Sequence, residues 1–456
     1  MSDILNIDFR KQQPAPTFAP EIKFKEEQYG QLSNGLQIIV VTNNKLPRIS
    51  AQLFIDHGLT SQGEKAGMVE LTGQLLSCGT KNYTKAQWDN KVDYYGAHVM
   101  TSAIGGYAAS LTKHFEAVFH LFSDAILRPS FPQHEFDNLI KQHLSNLSAQ
   151  KEEADAIAGN ISKRITFTSG HPYSETFTEK SLSKITLQDC VEYYEQNFVP
   201  EVSYLIFEGD IELAEAQSLA ESYFGQWENR KFVKKQFDNV IPSDQHDVNF
   251  AEKSDAVQSL IAITYAVDYK PYNEDMLAAN LMNSVLGGYF SSRLNLNLRE
   301  KKGFTYGISS RLHNDEFIGT FSTSVNVRNE VTLEAITEIL SEITRLKSEL
   351  MSEEELQQVK NVISGNFSRS VEDPKTIAKF ALAKKKFGLP DDYFKTQLRR
   401  IAALTTDVIH KMANKYLQPE NLHIIVVGNK EVLPQLESLA GSKGVRLFDF
   451  EGNLIE

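Results

Sequence analysis

Residues 70, 73 and 74 have the spacing of a helical metal site but not its side chains. They lie in AGMVELTGQLLSCGT, residues 66–80, where Glu70, Gly73 and Gln74 occupy positions i, i+3 and i+4 of one predicted helix face. A catalytic zinc needs three protein ligands drawn from His, Cys, Asp and Glu, plus an open position. Gly73 has no side chain and Gln74 is a poor ligand, so Glu70 alone cannot hold the metal. Taken alone, the stretch is typical of an amphipathic helix with a solvated edge.

The eleven histidines offer no alternative metal-binding cluster. His114 and His120 are six positions apart, which separates them by about 240° around a helix. His134 and His143 are nine positions apart, which separates them by about 180°. Neither pair can chelate one ion, so we interpret these residues as structural or surface histidines.

The strongest local signal for chemistry is GGYFSSRLNLNLREKKGFTYGISS at 287–310. Gly287 and Gly288 end a predicted helix, an amphipathic run leads to Arg299, and FTYGISS resumes as a predicted strand carrying Tyr306. In a structural interpretation this is a turn, with Arg299 paired to a carboxylate and Tyr306 packed in a sheet. In a functional interpretation, Arg299 and Tyr306 donate hydrogen bonds to a peptide carbonyl or a developing oxyanion. The pattern alone favours the structural interpretation.

Composition narrows the class of protein. The 456 residues exceed one ordinary domain, and a net charge of −12 disfavours a nucleic-acid binder. Two cysteines, Cys78 and Cys190, imply no disulfide framework and are interpreted as buried small hydrophobic residues. No apolar run approaches a membrane span, and residues 1–20 are predicted to be a flexible arm and not a signal peptide. We therefore expect a cytoplasmic protein, or a periplasmic one if a signal peptide has been removed.

Two stretches far apart in the chain share one pattern. Residues 185–201 and 404–420 each contain a Thr that could cap a helix, an amphipathic run and then Pro-Glu. An apolar, strand-like run closed by Gly follows each of them, at 203–210 and at 422–429. The same order of features in both places predicts an internal duplication of one domain.

The duplication predicts a domain boundary near the middle of the chain. Polar residues 226–245, which include Pro242, are typical of a linker, so we place the two domains at 1–235 and 236–456. Strands are predicted at 36–41, 49–55 and 259–267, and helices at 65–77, 114–127, 133–151, 273–286, 331–348 and 353–369. The predicted fold class is α+β, with a mixed or antiparallel sheet packed with helices in each domain.

Nearly the whole chain resembles one known family. From LSNGLQIIVV at 32–41 to LHIIVVGN at 422–429 it resembles the pitrilysin-type, or inverzincin, zinc metallopeptidases. The resemblance is to the branch that holds the mitochondrial processing peptidase and the bacterial half-sized peptidases. It implies two similar α+β domains joined by a linker, which together form half of a clamshell. The GHPY at 170–173 matches a further landmark of that family.

The resemblance also shows which residues of 66–80 correspond to the family's metal-site motif. Active members read A-G-L-A-H-F-L-E-H-M-L-F-K-G-T there, and the two ends of the motif agree with this sequence. The two zinc-binding His positions are Glu70 and Gln74 here, and the general-base Glu position is Gly73. The scaffold of the motif is thus retained without its chemistry.

The fourth metal-site position has also changed. Active members carry a further metal-binding Glu on a later helix, and the corresponding stretch here, 142–150, offers Ser145 and Asn146. The resemblance therefore implies that this chain binds no catalytic zinc and no other cofactor.

The second domain retains the family's other site residues. Members carry an Arg and a Tyr seven positions apart in S-R-L-x-x-x-L-R-E-x-x-G-L-A-Y, and Arg299 and Tyr306 match them. The resemblance implies that this pair binds the substrate carbonyl and that Gly287 and Gly288 help to guide the substrate, which reverses the structural interpretation above. In half-sized bacterial members, H-x-x-E-H and the Arg–Tyr pair can be split between two subunits.

We therefore predict the non-catalytic, substrate-binding subunit of a heterodimeric zinc metalloendopeptidase that cleaves peptides or unfolded segments. A homologous partner with an intact H-x-x-E-H would supply zinc and the general base, and the isolated chain could pair with itself. No nucleic-acid or membrane partner is expected, and the acidic net charge favours basic or extended peptides. The alternative is a non-enzymatic scaffold or peptide-binding protein of the same fold.

Overall fold

The computed structural model describes residues 24–167, 169–237 and 246–455. The predicted arm at 1–20 lies outside these residues, as does the part of the predicted linker that contains Pro242. No helix in the described part is both long enough and apolar enough to cross a membrane.

The first half of the chain contains six strands and eight α-helices among its described residues. The strands are β1 (Gln28–Gln31), β2 (Gln37–Thr42), β3 (Arg48–Ile55), β4 (His98–Ser102), β5 (Gly105–Leu111) and β6 (Ser203–Gly209). The helices are α1 (Met68–Leu75), α2 (Lys85–Tyr94), α3 (Phe115–Leu127), α4 (Gln133–Gln150), α5 (Ala154–Thr166), α6 (Glu179–Lys184), α7 (Leu187–Asn197) and α8 (Leu213–Phe224).

The second half has a similar order of elements. Its strands are β7 (Asp247–Glu252), β8 (Gln258–Val267), β9 (Ser309–His313), β10 (Gly319–Arg328), β11 (His423–Gly428) and β12 (Val445–Phe448). Its helices are α9 (Met276–Asn283), α10 (Thr332–Ser348), α11 (Glu353–Ser370), α12 (Pro374–Phe387), α13 (Gln397–Ala402), α14 (Thr406–Tyr416) and α15 (Leu433–Ala440). Two π-helical segments, Ser284–Gly288 and Asn295–Lys301, lie between α9 and β9.

Each half forms one six-stranded mixed sheet. The strand orders are β1-β2-β6-β3-β5-β4 and β12-β7-β11-β8-β10-β9, so five successive strands of the two sheets correspond one to one. In both sheets the second and third strands in this order, β2–β6 and β7–β11, are parallel, and the three pairs that follow are antiparallel. The predicted α+β class with a mixed sheet in each half is confirmed. The shared order also supports the predicted duplication, which stays a prediction.

The repeated sequence pattern folds as two matching helix–strand units. Thr186 caps α7 by accepting a hydrogen bond from the Asp189 amide, and Thr405 caps α14 by accepting one from Val408. The strands β6 and β11 follow these helices, as the apolar runs predict. The interval between Phe224 and Asp247 contains no helix or strand among its described residues. The predicted boundary between 235 and 236 falls there but stays a prediction.

Each sheet buries one face against helices of its own half. In the first sheet, alternate residues of β2, β3 and β6 pack on α3 and α8. In the second sheet, alternate residues of β8, β10 and β11 pack on α9, α10 and α14. Large aromatic side chains fill both cores, among them Phe119, Phe122 and Phe224 in the first and Tyr265 and Phe321 in the second. These cores fix the sheets on which the helices and loops of the candidate site pack.

The opposite face of each sheet is covered by a helix from the other half. In α5, Ile157 and Ile161 pack on Leu260 and Ile425 of the second sheet. In α12, Ile377 and Ala381 pack on β2 and β6 of the first sheet. Because each helix covers only the strands at and beside the parallel pair, the outer faces of β4–β5 and β9–β10 stay open to solvent.

An ion cluster ties the two halves together near the β9–β10 turn. Lys234 and Lys386 each place Nζ 2.9 Å from Asp56 Oδ1, and both also contact Glu316. Beside it, Tyr173 of the GHPY stretch donates a hydrogen bond to Asp315 Oδ2 at 2.7 Å. The β9–β10 hairpin is therefore anchored to the first half through its turn.

Candidate functional site

The helix α1 forms where residues 66–80 predict one. Leu71 and Leu75 are fully buried against Phe136 and Leu182, while Glu70 lies on the exposed edge. Cys78 and Cys190 are buried in the same cluster and unbonded, as predicted, and burial raises the pKa of the Cys78 thiol to about 11. Thiols held protonated in this way are poor nucleophiles.

Gly73 is the point where α1 touches the β4–β5 hairpin. A Cβ atom placed on it would lie 2.3 Å from the Ala103 amide nitrogen and 2.6 Å from the Ser102 carbonyl carbon. The Thr101 hydroxyl also donates a hydrogen bond to the Gly73 carbonyl at 2.8 Å. Backbone therefore occupies the space that a side chain at position 73 would need. Position 73, where the family motif has its general-base Glu, therefore lacks both a carboxylate and the space for one.

A chain of side-chain hydrogen bonds replaces the expected ligands. His143 of α4 donates from Nε2 to Gln74 Oε1 at 2.9 Å, and Gln74 Nε2 donates to Glu70 Oε1 at 3.3 Å. His143 is buried, whereas Ser145 and Asn146 are exposed and point away. The residue of α4 that contacts Gln74 is thus His143 and not Ser145 or Asn146. The correspondence of Ser145 and Asn146 to the family's fourth ligand position stays a prediction.

The sequence contained a signal for His143. It lies in register with Phe136, Ile140 and Leu147, on the apolar stripe that α4 turns towards α1. Among the described residues, no three His, Cys, Asp or Glu side chains are grouped closely enough to hold a metal ion.

Gly287 lies against the second sheet much as Gly73 lies against the first. A Cβ on Gly287 would meet the Ser310 amide nitrogen at 2.6 Å, at the start of the edge strand β9. Gly287 is buried and Gly288 is exposed, and both lie in the first π-helical segment. The helix ends at Gly288, as predicted, but both glycines lie inside its last, π-helical turn and not in a loop. A role for them in guiding substrate stays a prediction.

Arg299 belongs to the second π-helical segment, where it is partly exposed. Its guanidinium carbon lies 4.1 Å from the centre of the Phe290 ring, a cation–π contact. Its Nη1 is buried, forms a 3.5 Å ion pair with Glu300 Oε1 and has no hydrogen-bond partner among the described residues. The side chain is thus held in place over an aromatic ring and beside a carboxylate, as the structural interpretation predicts for its charge.

Tyr306 is 98% exposed, so it does not pack in a sheet. The predicted strand at 304–310 begins only at Ser309, and Tyr306 lies in the preceding loop. Asn295 fixes this loop by donating to the Ile308 carbonyl at 2.7 Å and accepting from the Ile308 amide at 3.1 Å. The backbone around Tyr306 is therefore anchored while its side chain projects into solvent.

The segment that carries Arg299 is anchored on both sides. Buried Arg293 forms a two-pronged ion pair with Glu355 of α11, at 2.8 and 2.7 Å. Lys302 contacts Glu334 and Glu338 of α10, and these hydrogen bonds raise the pKa of Lys302 to about 12. Together these contacts hold Arg299 and the Tyr306 loop on one rigid surface.

Comparison with known proteins finds relatives that are described as inactive or non-peptidase proteins. Residues 184–363 match the family described as the Peptidase M16 inactive domain. The "Non-peptidase homolog YmxG" of Helicobacter pylori is 18% identical over 400 residues, covering 86% of this chain and 92% of that protein.

Two solved structures share the fold. The peptidase M16 inactive domain from Pseudomonas fluorescens superposes with a TM-score of 0.80 at 20% identity, over 88% of this chain and 98% of that one. The periplasmic protease PqqL from Escherichia coli gives 0.75 at 14% identity, over 91% of this chain but only 48% of its own length. The fold of this chain thus corresponds to about half of that longer protease. In its fold, in its family match over residues 184–363 and in its altered α1 face, the chain is similar to proteins described as inactive members of the M16 peptidase family.

Proposed function

We propose that this chain is the non-catalytic, substrate-binding subunit of a heterodimeric zinc metalloendopeptidase. The observation that carries the proposal is a contrast between two sites: the one on α1 is filled by backbone, and the one at Tyr306 is accessible to another molecule. Backbone fills position 73, whereas Tyr306 is 98% exposed on a loop that Asn295 anchors. A side chain exposed in this way contributes little to folding, and in our proposal it contacts the substrate.

The partner in this proposal is a homologous chain with an intact H-x-x-E-H. Zinc bound there would polarise the scissile carbonyl and lower the pKa of its attacking water. Arg299 and Tyr306 of this chain donate hydrogen bonds to the substrate carbonyl oxygen from the other side. Such donors contribute most when they are oriented before the reaction begins. The stacking of Arg299 on Phe290 and the anchoring of the Tyr306 loop by Asn295 provide that orientation.

The π-helical geometry supports a functional role for this segment. π-Helical turns cost stability and occur frequently at functional sites. Here two of them, Ser284–Gly288 and Asn295–Lys301, bracket Phe290 and end next to Tyr306. The similarity of this chain to one half of PqqL also supports pairing with a second half, which in our proposal is a separate polypeptide.

The competing function is a non-enzymatic scaffold or peptide-binding protein of the same fold. The description of the Helicobacter pylori relative as a non-peptidase homologue favours it. Exposure of Tyr306 on a loop that Asn295 anchors favours the subunit role, because a scaffold does not need a polar donor held in this way.

Reconstitution tests the proposal. The purified chain is expected to contain no stoichiometric zinc and to cleave no peptide, whereas a mixture with a homologous H-x-x-E-H chain from the same genome cleaves unfolded peptide. Metal analysis, size-exclusion chromatography and a quenched fluorescent peptide measure the three properties. Stoichiometric zinc or peptidase activity in the isolated chain would overturn the proposal, and a stable complex without activity would favour the scaffold.

A further inference from the structure

The β9–β10 hairpin leaves one face of the second sheet open. Residues facing the core alternate with solvent-accessible ones along both strands, and the register places His313 opposite Thr320 and Arg311 opposite Ser322. The exposed or half-buried set on this face is Ser309, Arg311, His313, Thr320, Ser322, Ser324, Asn326 and Arg328. We call it the open hairpin face. Covering helix α5 packs on β8 and β11 and stops short of it.

The open hairpin face is basic, and its charges are not neutralised. Among the described residues, neither Arg311, His313 nor Arg328 has a carboxylate oxygen within ion-pair distance. The carboxylates of the hairpin turn are already engaged, since Asp315 accepts from Tyr173 and Glu316 contacts Lys234 and Lys386. The remaining residues of the face are Ser, Thr and Asn, which carry no charge of their own.

The face is continuous with the proposed site. β9 begins three residues after Tyr306, and Asn295 ties the intervening Ile308 to the segment that carries Arg299. Eight residues of β10 separate the level of His313 from Arg328, which corresponds to about 26 Å along an extended strand. An extended peptide held at Tyr306 could therefore run along the face past both arginines.

We infer that the open hairpin face binds the acidic residues of an extended peptide substrate, so that this subunit selects acidic segments. The inference rests on the proposed function, because it names the substrate class of the same site. It replaces the expectation, drawn from the net charge of −12, that the substrate would be basic. Local charge prevails over net charge because exposed charges act mainly within about 8–10 Å at physiological ionic strength.

A peptide fits this face better than a nucleic acid does. Only two arginines, Arg311 and Arg328, lie along about 26 Å of strand, whereas a nucleic-acid strand carries a phosphate about every 3.4 Å. The spacing of Arg311 and Arg328 matches a chain with occasional carboxylates. The Ser and Asn side chains between them can donate and accept hydrogen bonds with peptide groups.

Fluorescence anisotropy on the full-length chain tests the inference. The probes are three labelled peptides about 12 residues long, long enough to span the face: one alternating Ser and Glu, its Gln twin and its Lys twin. We expect the Glu peptide to bind about tenfold or more tightly than the Gln twin at low salt, and this advantage to vanish at high salt. The double variant Arg311→Gln/Arg328→Gln should reduce the advantage to about twofold or less. Arg399→Gln, an exposed arginine of α13, is the matched control and should leave it unchanged.

Equal binding of the three peptides, or an unchanged preference in the double variant with a native circular dichroism spectrum, would overturn the inference. Equal or tighter binding of a single-stranded DNA of matched charge would also overturn it. The outcome is separable from that of the proposed function. If Arg299→Ala abolishes turnover by the heterodimer while acidic preference is absent, only this inference fails. If acidic preference is present while Arg299→Ala leaves turnover unchanged, only the proposed function fails.

Discussion

At the scale of single residues, Gly73 separates this chain from an active peptidase more firmly than Glu70 or Gln74 does. The two ligand positions lie on a solvent-accessible edge and could accept other side chains. Position 73 faces the Ser102–Ala103 backbone at 2.3–2.6 Å from an ideal Cβ, so any side chain there must displace the hairpin. The close packing between α1 and the first sheet thus requires a residue without a side chain at position 73.

Gly73→Ala should destabilise the protein although alanine favours helices. Overpacking against backbone costs about 1–3 kcal/mol of unfolding free energy, which exceeds the helix-propensity gain of about 1 kcal/mol. Urea denaturation measures the change. Gly365→Ala is the matched control, since a Cβ there meets nothing within 4 Å in exposed α11, and it should be neutral or stabilising. A stable Gly73→Ala variant would contradict the packing described for α1.

Introducing the family's zinc-binding and general-base residues should not produce peptidase activity. The triple variant Glu70→His/Gly73→Glu/Gln74→His recreates H-x-x-E-H in sequence, but the backbone at Ser102–Ala103 excludes the introduced carboxylate side chain from the helix face. We expect no zinc-dependent peptide hydrolysis, as measured with a fluorogenic peptide and metal analysis, even when zinc is added in excess. Hydrolysis that a chelator abolishes would show that the hairpin yields and that only side chains were lost.

At the scale of secondary-structure elements, strongly periodic segments could be predicted and irregular ones could not. The helices α7 and α14 and the strands β6 and β11 follow from a capping Thr, an amphipathic run and a closing Gly. The π-helical turns at 284–288 and 295–301 leave no such mark in the sequence. The close approach of Gly287 to Ser310, from a distant strand, likewise becomes visible only in the folded structure. The apolar stripe of α4 marks His143 as facing α1, but its pairing with Gln74 depends on the angle between the two helices, which the stripe does not encode.

Because of Asp247, the unfolding free energy of the protein should decrease at acid pH. Burial raises the pKa of Asp247, but hydrogen bonds from His423 and Asn249 and the charge of Arg446 outweigh burial, so the net pKa is lowered. A lowered folded-state pKa means that the stabilisation is present above the unfolded value of about 3.9 and is lost as pH falls through the folded value. These contacts join the neighbouring strands β7, β11 and β12.

Asp247→Asn should therefore lower the unfolding free energy by about 1–3 kcal/mol at neutral pH, since it weakens charged hydrogen bonds. Its deficit should shrink below about pH 4, where the wild-type carboxylate is protonated in the unfolded state. Denaturation curves at several pH values measure this. Asp137→Asn, on exposed α4, should show no such pH-dependent difference; an equal deficit at every pH for Asp247→Asn would contradict the ionic account.

At the scale of the whole molecule, exchanged helices and the ion cluster make two similar halves one folding unit. Each sheet is covered on its second face by a helix that the other half supplies, α5 or α12. This exchange could not be predicted from the sequence, because the apolar stripe of α5 shows that it is buried but not against which sheet. The two-domain α+β architecture itself could be predicted from the repeated pattern and the family resemblance.

Unfolding should therefore be cooperative across both halves. Both tryptophans, Trp88 and Trp227, lie in the first half, so tryptophan fluorescence reports on it alone. Ile336→Ala, in the fully buried core of the second half, should cost about 2–4 kcal/mol and lower the fluorescence midpoint as much as the circular dichroism midpoint. A fluorescence midpoint that stays at its wild-type value while circular dichroism shifts would show that the halves unfold independently.

The most direct test of the central claim is turnover by the reconstituted heterodimer with Arg299→Ala or Tyr306→Phe in this subunit. We expect Arg299→Ala to lower kcat/KM about 100-fold or more and Tyr306→Phe about tenfold or more, with complex formation and zinc content unchanged. Arg369→Ala and Tyr94→Phe are the matched controls, at exposed arginine and tyrosine positions elsewhere, and should match wild type. Unchanged turnover in both site variants, within an intact zinc-loaded complex, would contradict the account.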